Sequence, residues 1–320
     1  MQMIRFHLGT IIFGEMFNQP LRDYELDLIE NKYHKIQFGY HFNQPIDCLP
    51  DNVEAIKFGW GFNQEVNNLP TSLKSLELGG EFSHFIDNLP ASLEKLGIFG
   101  CFNQPVNNLP ETLEDIELGY AFDQTVDNLP LSVKKLKLGA NFNQNIDNLP
   151  RNIETLILGK SFNHNVDFLP KSLKKLVFTF DSCFNNKVDK LPKSLEFLEF
   201  GKAFNQKIDN LPPNINKLHF GAFFNQEINH LPENIEIICF GWAFNQPIYN
   251  LPKNIKHIEF GYNFNQPIDC LPDSVEYIVL GYNFEHEIKK LPKNLKKIVM
   301  NRDYKKKIQC QVQGEIAFEN

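Results

Sequence analysis

Along most of the chain, apolar and polar positions alternate in one fixed pattern. In the stretch 251–270, LPKNIKHIEFGYNFNQPIDC, the apolar positions are Leu251, Ile255, Ile258, Phe260, Phe264 and Ile268, with mostly polar residues between them. The twenty residues before it, LPENIEIICFGWAFNQPIYN, and the twenty after it, LPDSVEYIVLGYNFEHEIKK, repeat the spacing. Phe keeps step at Phe42, Phe62, Phe82, Phe102, Phe122, Phe142 and Phe162, then from Phe184 to Phe284, and Leu-Pro does so from Leu49-Pro50 to Leu291-Pro292. A unit this short cannot bury its own apolar face, so the period predicts a solenoid whose neighbouring coils share one core.

Each coil reads in the same way. Pairs such as Ile56-x-Phe58, Leu76-x-Leu78 and Ile116-x-Leu118 alternate as a short strand with one buried face. A Gly (Gly59, Gly79, Gly119) ends the strand where a residue without Cβ turns tightly, and the next Phe points back inside. Leu-Pro makes the return corner, because Pro fixes φ and cannot donate. The Ser, Thr or Asn two places on (Asn52, Ser72, Thr112, Ser274) is expected to hold that corner by bonding nearby backbone. No coil has room for an ordinary helix.

The expected organisation is one repeat domain over 1–320. Residues 1–35 form an irregular N-terminal cap, 36–300 the regular coils and 301–320 a C-terminal cap. Leu8, Ile11 and Phe13 already follow the apolar spacing, while 21–32, LRDYELDLIENK, lacks the Leu-Pro corner and has room for a short helical turn. Phe178 to Phe184 carries two extra residues and loses the Gly, an insertion expected to bulge on one rim.

The string Ile255-x-x-Ile258-x-Phe260-x-x-Asn263 resembles the leucine-rich repeat, and Phe264-Asn265-Gln266-Pro267-Ile268 is similar to the FNIP repeat, a leucine-rich-repeat relative found in amoebae and in large DNA viruses that infect them. The resemblance implies a mainly β, right-handed solenoid of about fifteen coils of ~20 residues with one long parallel β-sheet and little α-helix. It also implies protein-partner binding without a cofactor. The repeat's ladder Asn is mostly missing, its place taken by Gly61, Glu81, Ala121 and Phe223, and the Asn after Phe is expected to replace it.

Composition narrows the function. The net charge of −7, from 32 basic and 39 acidic residues, lacks the basic stripe of a nucleic-acid binder. The one basic cluster, Lys289 to Lys307, reads as a solvated end coil. No signal segment and no run of about 18 apolar residues occurs, so neither secretion nor a membrane is expected. Cys48, Cys101, Cys183, Cys239, Cys270 and Cys310 lie too many coils apart to pair, since strands advance about 4.8 Å per coil. Free thiols fit a cytoplasmic protein, in the host cytosol if the chain is viral.

Candidate chemistry is sparse. His84, His164 and His286 stand where other coils have Gln and read as substitutes in a polar ladder; His219 and His257 lie two coils apart, which does not suit a shared metal. Asp127, Asp147, Asp167, Asp189 and Asp209 share one position with Asn67, Asn107 and Asn229, which favours a turn-making role over a cation site. No catalytic or metal residue is assigned.

The outward strand positions carry what is individual. Toward the N-terminus they are charged (Lys57, Glu77, Lys95, Glu117, Lys135, Lys137), whereas later they include Ile157, Val177, Phe197, Ile237, Cys239, Tyr277, Val279 and Val299. Just past the strand Gly runs an aromatic row, Tyr40, Trp60, Tyr120, Trp242, Tyr262 and Tyr282, which serves either as a rim cover or as a binding surface. A non-enzymatic scaffold that binds a protein partner over 237–299, through Ile237, Cys239, Trp242, Tyr262, Tyr277, Val279, Tyr282 and Val299, is the favoured expectation. The alternatives are a structural rod without a specific ligand and an enzyme acting on an extended polymer.

Overall fold

A computed structural model of the chain describes residues 4–24, 33–311 and 314–319, and it divides into two compact units, Met1–Gly159 and Lys160–Asn320. Among the described residues both are mainly β, without α-helix.

The first unit opens with an antiparallel hairpin, β1 (Ile4–His7) and β2 (Thr10–Phe13), closed by Leu8-Gly9. Both turn residues have positive φ, 42° and 74°, the two-residue turn whose twist suits a hairpin. Leu8 is therefore a solvent-exposed turn residue and not the core position that its spacing suggests. A 3₁₀ turn follows at Leu21–Tyr24; the remainder of the 21–32 segment, from 25 on, lies outside the described residues. Then β3 (Lys35–Gln37), β4 (Ala55–Lys57), β5 (Ser75–Leu78), β6 (Lys95–Ile98), β7 (Asp115–Leu118), β8 (Lys135–Leu138) and β9 (Thr155–Leu158) run parallel from β2 onward, each paired twenty residues on from its predecessor after the longer first step.

The second unit continues the same construction. Its strands are β10 (Lys175–Phe178), β11 (Phe197–Glu199), β12 (Lys217–His219), β13 (Ile237–Cys239), β14 (His257–Glu259), β15 (Tyr277–Val279), β16 (Lys297–Asn301) and β17 (Glu315–Glu319). All pair in parallel and in register. The tail, which leaves the repeat in sequence, nevertheless supplies β17 as one more parallel strand.

Inside each unit the cores are columns of like residues. In the second, Phe184, Phe204, Phe224, Phe244, Phe264 and Phe284 stack with centroids 6.1–6.4 Å apart. A second column, Phe178, Phe200, Phe220, Phe240 and Phe260, stacks at 5.5–5.9 Å and meets the first at 3.7–4.0 Å. Large apolar area is buried with no polar atom to satisfy.

The strand glycines have a different origin from the expected tight turn. Apart from Gly9 and Gly100 none has positive φ. What excludes a side chain is the preceding coil: a Cβ on Gly221 would stand 2.0 Å from the Gly201 carbonyl oxygen, and one on Gly241 would stand 2.0 Å from that of Gly221.

The polar side chains also reach across coils. The Asn after Phe accepts the amide of the corresponding residue one coil on: Asn225 N–H donates to Asn205 Oδ1 at 2.9 Å, Asn245 to Asn225 at 2.9 Å and Asn265 to Asn245 at 2.8 Å. The following Gln donates to the same oxygen, as Gln226 does to Asn205 at 3.1 Å. His84 and His286 take that Gln position, each with Nε2 3.1 Å from the carbonyl of the preceding coil's Asn.

Two local expectations are corrected here. The hydroxyls after Leu-Pro do not hold their own corner; Ser92 Oγ donates to Thr71 and Leu73 of the preceding coil, and Thr112 to Ala91 and Leu93. Their own corner is closed by backbone, Leu93 N–H to Pro90 O at 3.1 Å. The Asp/Asn position likewise accepts from the next coil, Asn210 Nδ2 to Asp189 at 3.3 Å and Lys190 Nζ to Asp167 at 2.7 Å.

The two-residue insertion exposes Phe180 and tucks Ser182 under the turn, where its N–H reaches Thr179 O at 2.8 Å and its Oγ accepts from Phe184 N–H at 3.2 Å.

These contacts rank substitutions in chemical or thermal denaturation. Phe142→Ala, in the fully buried column, is expected to cost about 3–5 kcal/mol. Gly221→Ala should cost about 1–3 kcal/mol because the coils must separate to admit the Cβ. Lys137→Ala, which removes an exposed pair with Glu117, should cost less than about 1 kcal/mol.

Candidate protein-interaction surface

The in-register strands of the second unit carry two outward rows. One runs Phe197, Lys217, Ile237, His257, Tyr277, Lys297 and the other Glu199, His219, Cys239, Glu259, Val279, Val299. Period-two alternation puts these residues opposite the buried Leu198, Leu218, Ile238, Ile258, Ile278 and Ile298. Ile237, Cys239 and Val279 are half-buried by strand neighbours, and Tyr277 is 41% exposed. The Tyr277 ring lies 6.0 Å from that of His257, with Lys296 Nζ 6.0 Å from its centroid.

Val299 does not belong to this surface. It is only 8% exposed, because β17 pairs alongside it with Ala317 opposite. Lys297 turns the same way, with its Nζ 3.4 Å from Glu315.

Past the strand glycines, Trp242, Tyr262 and Tyr282 form a separate rim row. Trp242 and Tyr262 lie 5.6 Å apart, and Tyr262 and Tyr282 stack at 5.0 Å and 2°. Trp242 remains 66% exposed and both tyrosines are exposed, so mutual stacking leaves most of the row open to solvent. The exposed Phe223 lies one place beyond the rim position; the sequence pattern marks it as a departure from the ladder Asn and not as a surface residue.

The row Glu199–His219–Cys239–Glu259 gathers titratable groups. Burial pushes the Cys239 thiol up to about 12, with the charge and hydrogen bond of Glu259 and the charge of Glu199 adding to it. Burial also lowers His219, against the pull of Glu199 and Glu259 and with the help of His257 and Lys217. The thiolate is the reactive form, so burial disfavours the reactive state of Cys239 just as it disfavours the charged imidazole of His219. Among the described residues no group of three His, Cys, Asp or Glu is placed to hold a metal ion, and no helix is long and apolar enough to cross a membrane.

The first unit differs. Among its outward positions are three charge pairs between neighbouring strands: Lys57–Glu77 at 2.6 Å, Lys135–Asp115 at 2.9 Å and Lys137–Glu117 at 2.5 Å. Its rim aromatic Trp60 covers Gly80, on which a Cβ would stand 2.4 Å from the indole, and donates Nε1 to Glu81 at 3.0 Å.

With coil geometry and outward rows in place, the repeat can be compared with known ones. The FNIP Repeat family matches in overlapping stretches that run without a gap from 34 to 291, among them 62–101, 142–181, 204–241 and 264–291. The chain belongs to the FNIP-repeat family. Among solved structures, this FNIP-repeat chain is similar to CroV588, a circular leucine-rich-repeat protein of a giant virus, at 30% identity and a TM-score of 0.66 over 94% of this chain and 58% of that one. It shares its fold with YopM from Yersinia enterocolitica (17% identity, TM-score 0.53, 86% of this chain and 65% of that one). The functional domain of InlJ from Listeria monocytogenes shares it too (8%, TM-score 0.55, 82% and 62%). The FNIP-repeat chain thus spans less than two thirds of each. Comparison with curated proteins gives no match. Solenoids of this leucine-rich-repeat type commonly serve protein–protein interaction and are typically non-enzymatic.

The raised Cys239 pKa makes this thiol slow to alkylate near neutral pH. In peptide mapping after iodoacetamide, the exposed Cys101 and Cys183 are expected to label well before Cys239, whose rate should keep rising with pH toward 12. Early labelling of Cys239 would show that it is neither half-buried nor bonded to Glu259.

Proposed function

We propose that the chain is a non-enzymatic binding scaffold that captures a cytosolic protein partner with the strand face and adjoining rim of its second unit. The contacts assigned are Ile237, Cys239, Tyr277 and Val279 on the face and Trp242, Tyr262 and Tyr282 on the rim.

One observation carries this reading. The outward rows of β4, β5, β7 and β8 neutralise themselves by ion pairing between coils, whereas Ile237, Tyr277 and Val279 present apolar surface with an exposed Trp–Tyr–Tyr row beside it. Grouped exposed apolar side chains on a folded protein mark interaction sites, and Trp and Tyr contribute large contact area at small entropic cost. The fitting partner is a folded protein presenting aliphatic or aromatic anchors. Free thiols at Cys101, Cys183, Cys239, Cys270 and Cys310 are in keeping with a reducing compartment.

Capture from cytosolic extract tests the reading. The triple variant Ile237→Ser, Tyr277→Lys, Val279→Lys is expected to lose its partner by about tenfold or more, while Lys57→Glu, Glu77→Lys, which keeps an ion pair on the first unit, should retain it. Loss in the control alone, with circular dichroism unchanged in both, would move the site to the charged rows.

A further inference from the structure

The side-chain amides that link the coils are only half used by those links. In the second unit the Oδ1 of Asn185 accepts twice from the next coil, from Asn205 N–H at 2.8 Å and Gln206 Nε2 at 3.2 Å. Asn205 accepts in the same way from Asn225 and Gln226, and Asn225 from Asn245 and Gln246. What remains is the Nδ2 of each Asn and the Oε1 of each Gln. Among the described residues, these atoms of Asn205, Asn225, Gln206, Gln226 and Gln246 have no protein partner. The buried side-chain polar atom left unpartnered lies elsewhere, at Asp273 Oδ1, so the free amide atoms reach solvent. Each of these half-buried coil positions therefore presents one donor group and one acceptor, repeated in a row.

The row lies in a groove. Two adjoining cavities of about 420 and 310 Å³ share Lys207, Asp209 and Gln226, with Asn205 and Gln206 lining the first and Asn225 and Gln246 the second. Charge along the groove is uneven. Asp189 accepts from Asn210 at 3.3 Å, and Asp209 lies 3.4 Å from His230 Nδ1. The ion pairs nearby are made by Lys190 and His230, which leaves the exposed Lys187 and Lys207, among the described residues, without a carboxylate. In the next two coils Glu227 and then Pro247 take the place of these lysines. The first unit repeats the amides, but Pro45, Glu65, Phe85, Pro105, Thr125 and Asn145 stand where the lysines do.

We propose that this groove, over residues 185–246, binds an extended acidic peptide segment, pairing with its backbone and setting its carboxylates against Lys187 and Lys207. The spacing fits. An extended chain rises about 3.3–3.4 Å per residue and turns the N–H and C=O of every second residue to one edge, so that edge repeats about every 6.7 Å. The phenylalanines that directly precede the ladder Asn stack 6.1 Å apart, which gives the pitch on this side of the coil. One coil thus meets two peptide residues, its Asn Nδ2 donating to a carbonyl and its Gln Oε1 accepting from an N–H. The mismatch of about 0.6 Å per coil adds up to about 1.8 Å over three coils, which confines the paired length to about six residues. Main-chain pairing of this kind gives affinity with little sequence demand, and the flanking charges supply the selection. Lys187 and Lys207 favour acidic residues at alternate positions, and Glu227 disfavours them at the far end. No residue of the groove is among those assigned to the partner above, so this binding does not rest on that reading.

Fluorescence anisotropy of the full chain with a labelled hexapeptide, Glu-Thr-Glu-Thr-Gln-Thr, tests the proposal. The acidic probe is expected to bind saturably, and Lys-Thr-Lys-Thr-Gln-Thr to bind about tenfold more weakly or worse. Lys187→Glu combined with Lys207→Glu should weaken the acidic probe by about tenfold or more. Lys253→Glu, the same charge change on an exposed lysine outside the groove, should stay within about twofold of the wild type. All three are surface positions, and circular dichroism checks that the fold is kept. Backbone pairing is read on the peptide, which leaves the ladder intact. N-methylation of either the odd or the even residues removes the N–H donors of one strand edge at a time. One set should lose binding by about tenfold or more and the other should keep it. The proposal is overturned by an acidic probe that does not bind saturably, or by a Lys253→Glu loss as large as that of the groove variant. Equal effects of the two methylated sets overturn it as well.

Discussion

The Gly201 carbonyl oxygen occupies the space where a Cβ on Gly221 would have to stand, and the same holds at Gly221 and Gly241. This close approach of successive backbones sets the pitch for everything else. At that distance the parallel strands close their ladder, the Phe columns stack at 5.5–6.4 Å, and an Asn side chain can reach the amide of the next coil. A side chain at the Gly would wedge the coils apart on one side and loosen all three contacts together. Hydrogen bonds that might have stabilised a coil internally are instead made to its neighbour, which is why a unit of about twenty residues can belong to a stable fold without a core of its own.

The regularity also explains which features were legible in the sequence. A column of like residues in space is a period in sequence, so the Phe spine, the strand alternation and the exchange of Gln for His84 or His286 could all be read directly. Direction across the coil boundary could not. Ser92 and Thr112 have the chemistry of turn-holding residues, and nothing local says that their acceptors lie 19 and 21 residues back. The Gly positions were found for a different reason from the one that requires them, since absence of a side chain looks the same whether it permits a turn or a close approach.

The ends were the least legible. Leu8 matched the apolar spacing, but Gly9 beside it makes a hairpin turn, and local turn chemistry overrode the period. At the other end β17 lies outside the repeat pattern, so the alternation of β16 marks Val299 as an outward surface residue although a strand lies next to it. Of the proposed surface, the rim row survives as the more open part. Trp242, Tyr262 and Tyr282 stack on one another and still face solvent, whereas the strand-face residues between them are partly screened by His257, Lys296 and one another.

That side chains of one coil hold the backbone of the next, beyond what each coil's own turn bonds supply, can be measured amide by amide. Asn245 N–H lies outside the strands, and its acceptor is the side chain of Asn225 one coil back. Native-state hydrogen exchange should find this amide protected in the wild type. In Asn225→Ala its protection should collapse, while that of the Asn265 amide, bonded to Asn245, persists. An Asn245 amide that exchanges freely in the wild type, or that is equally protected in both proteins, would contradict the account.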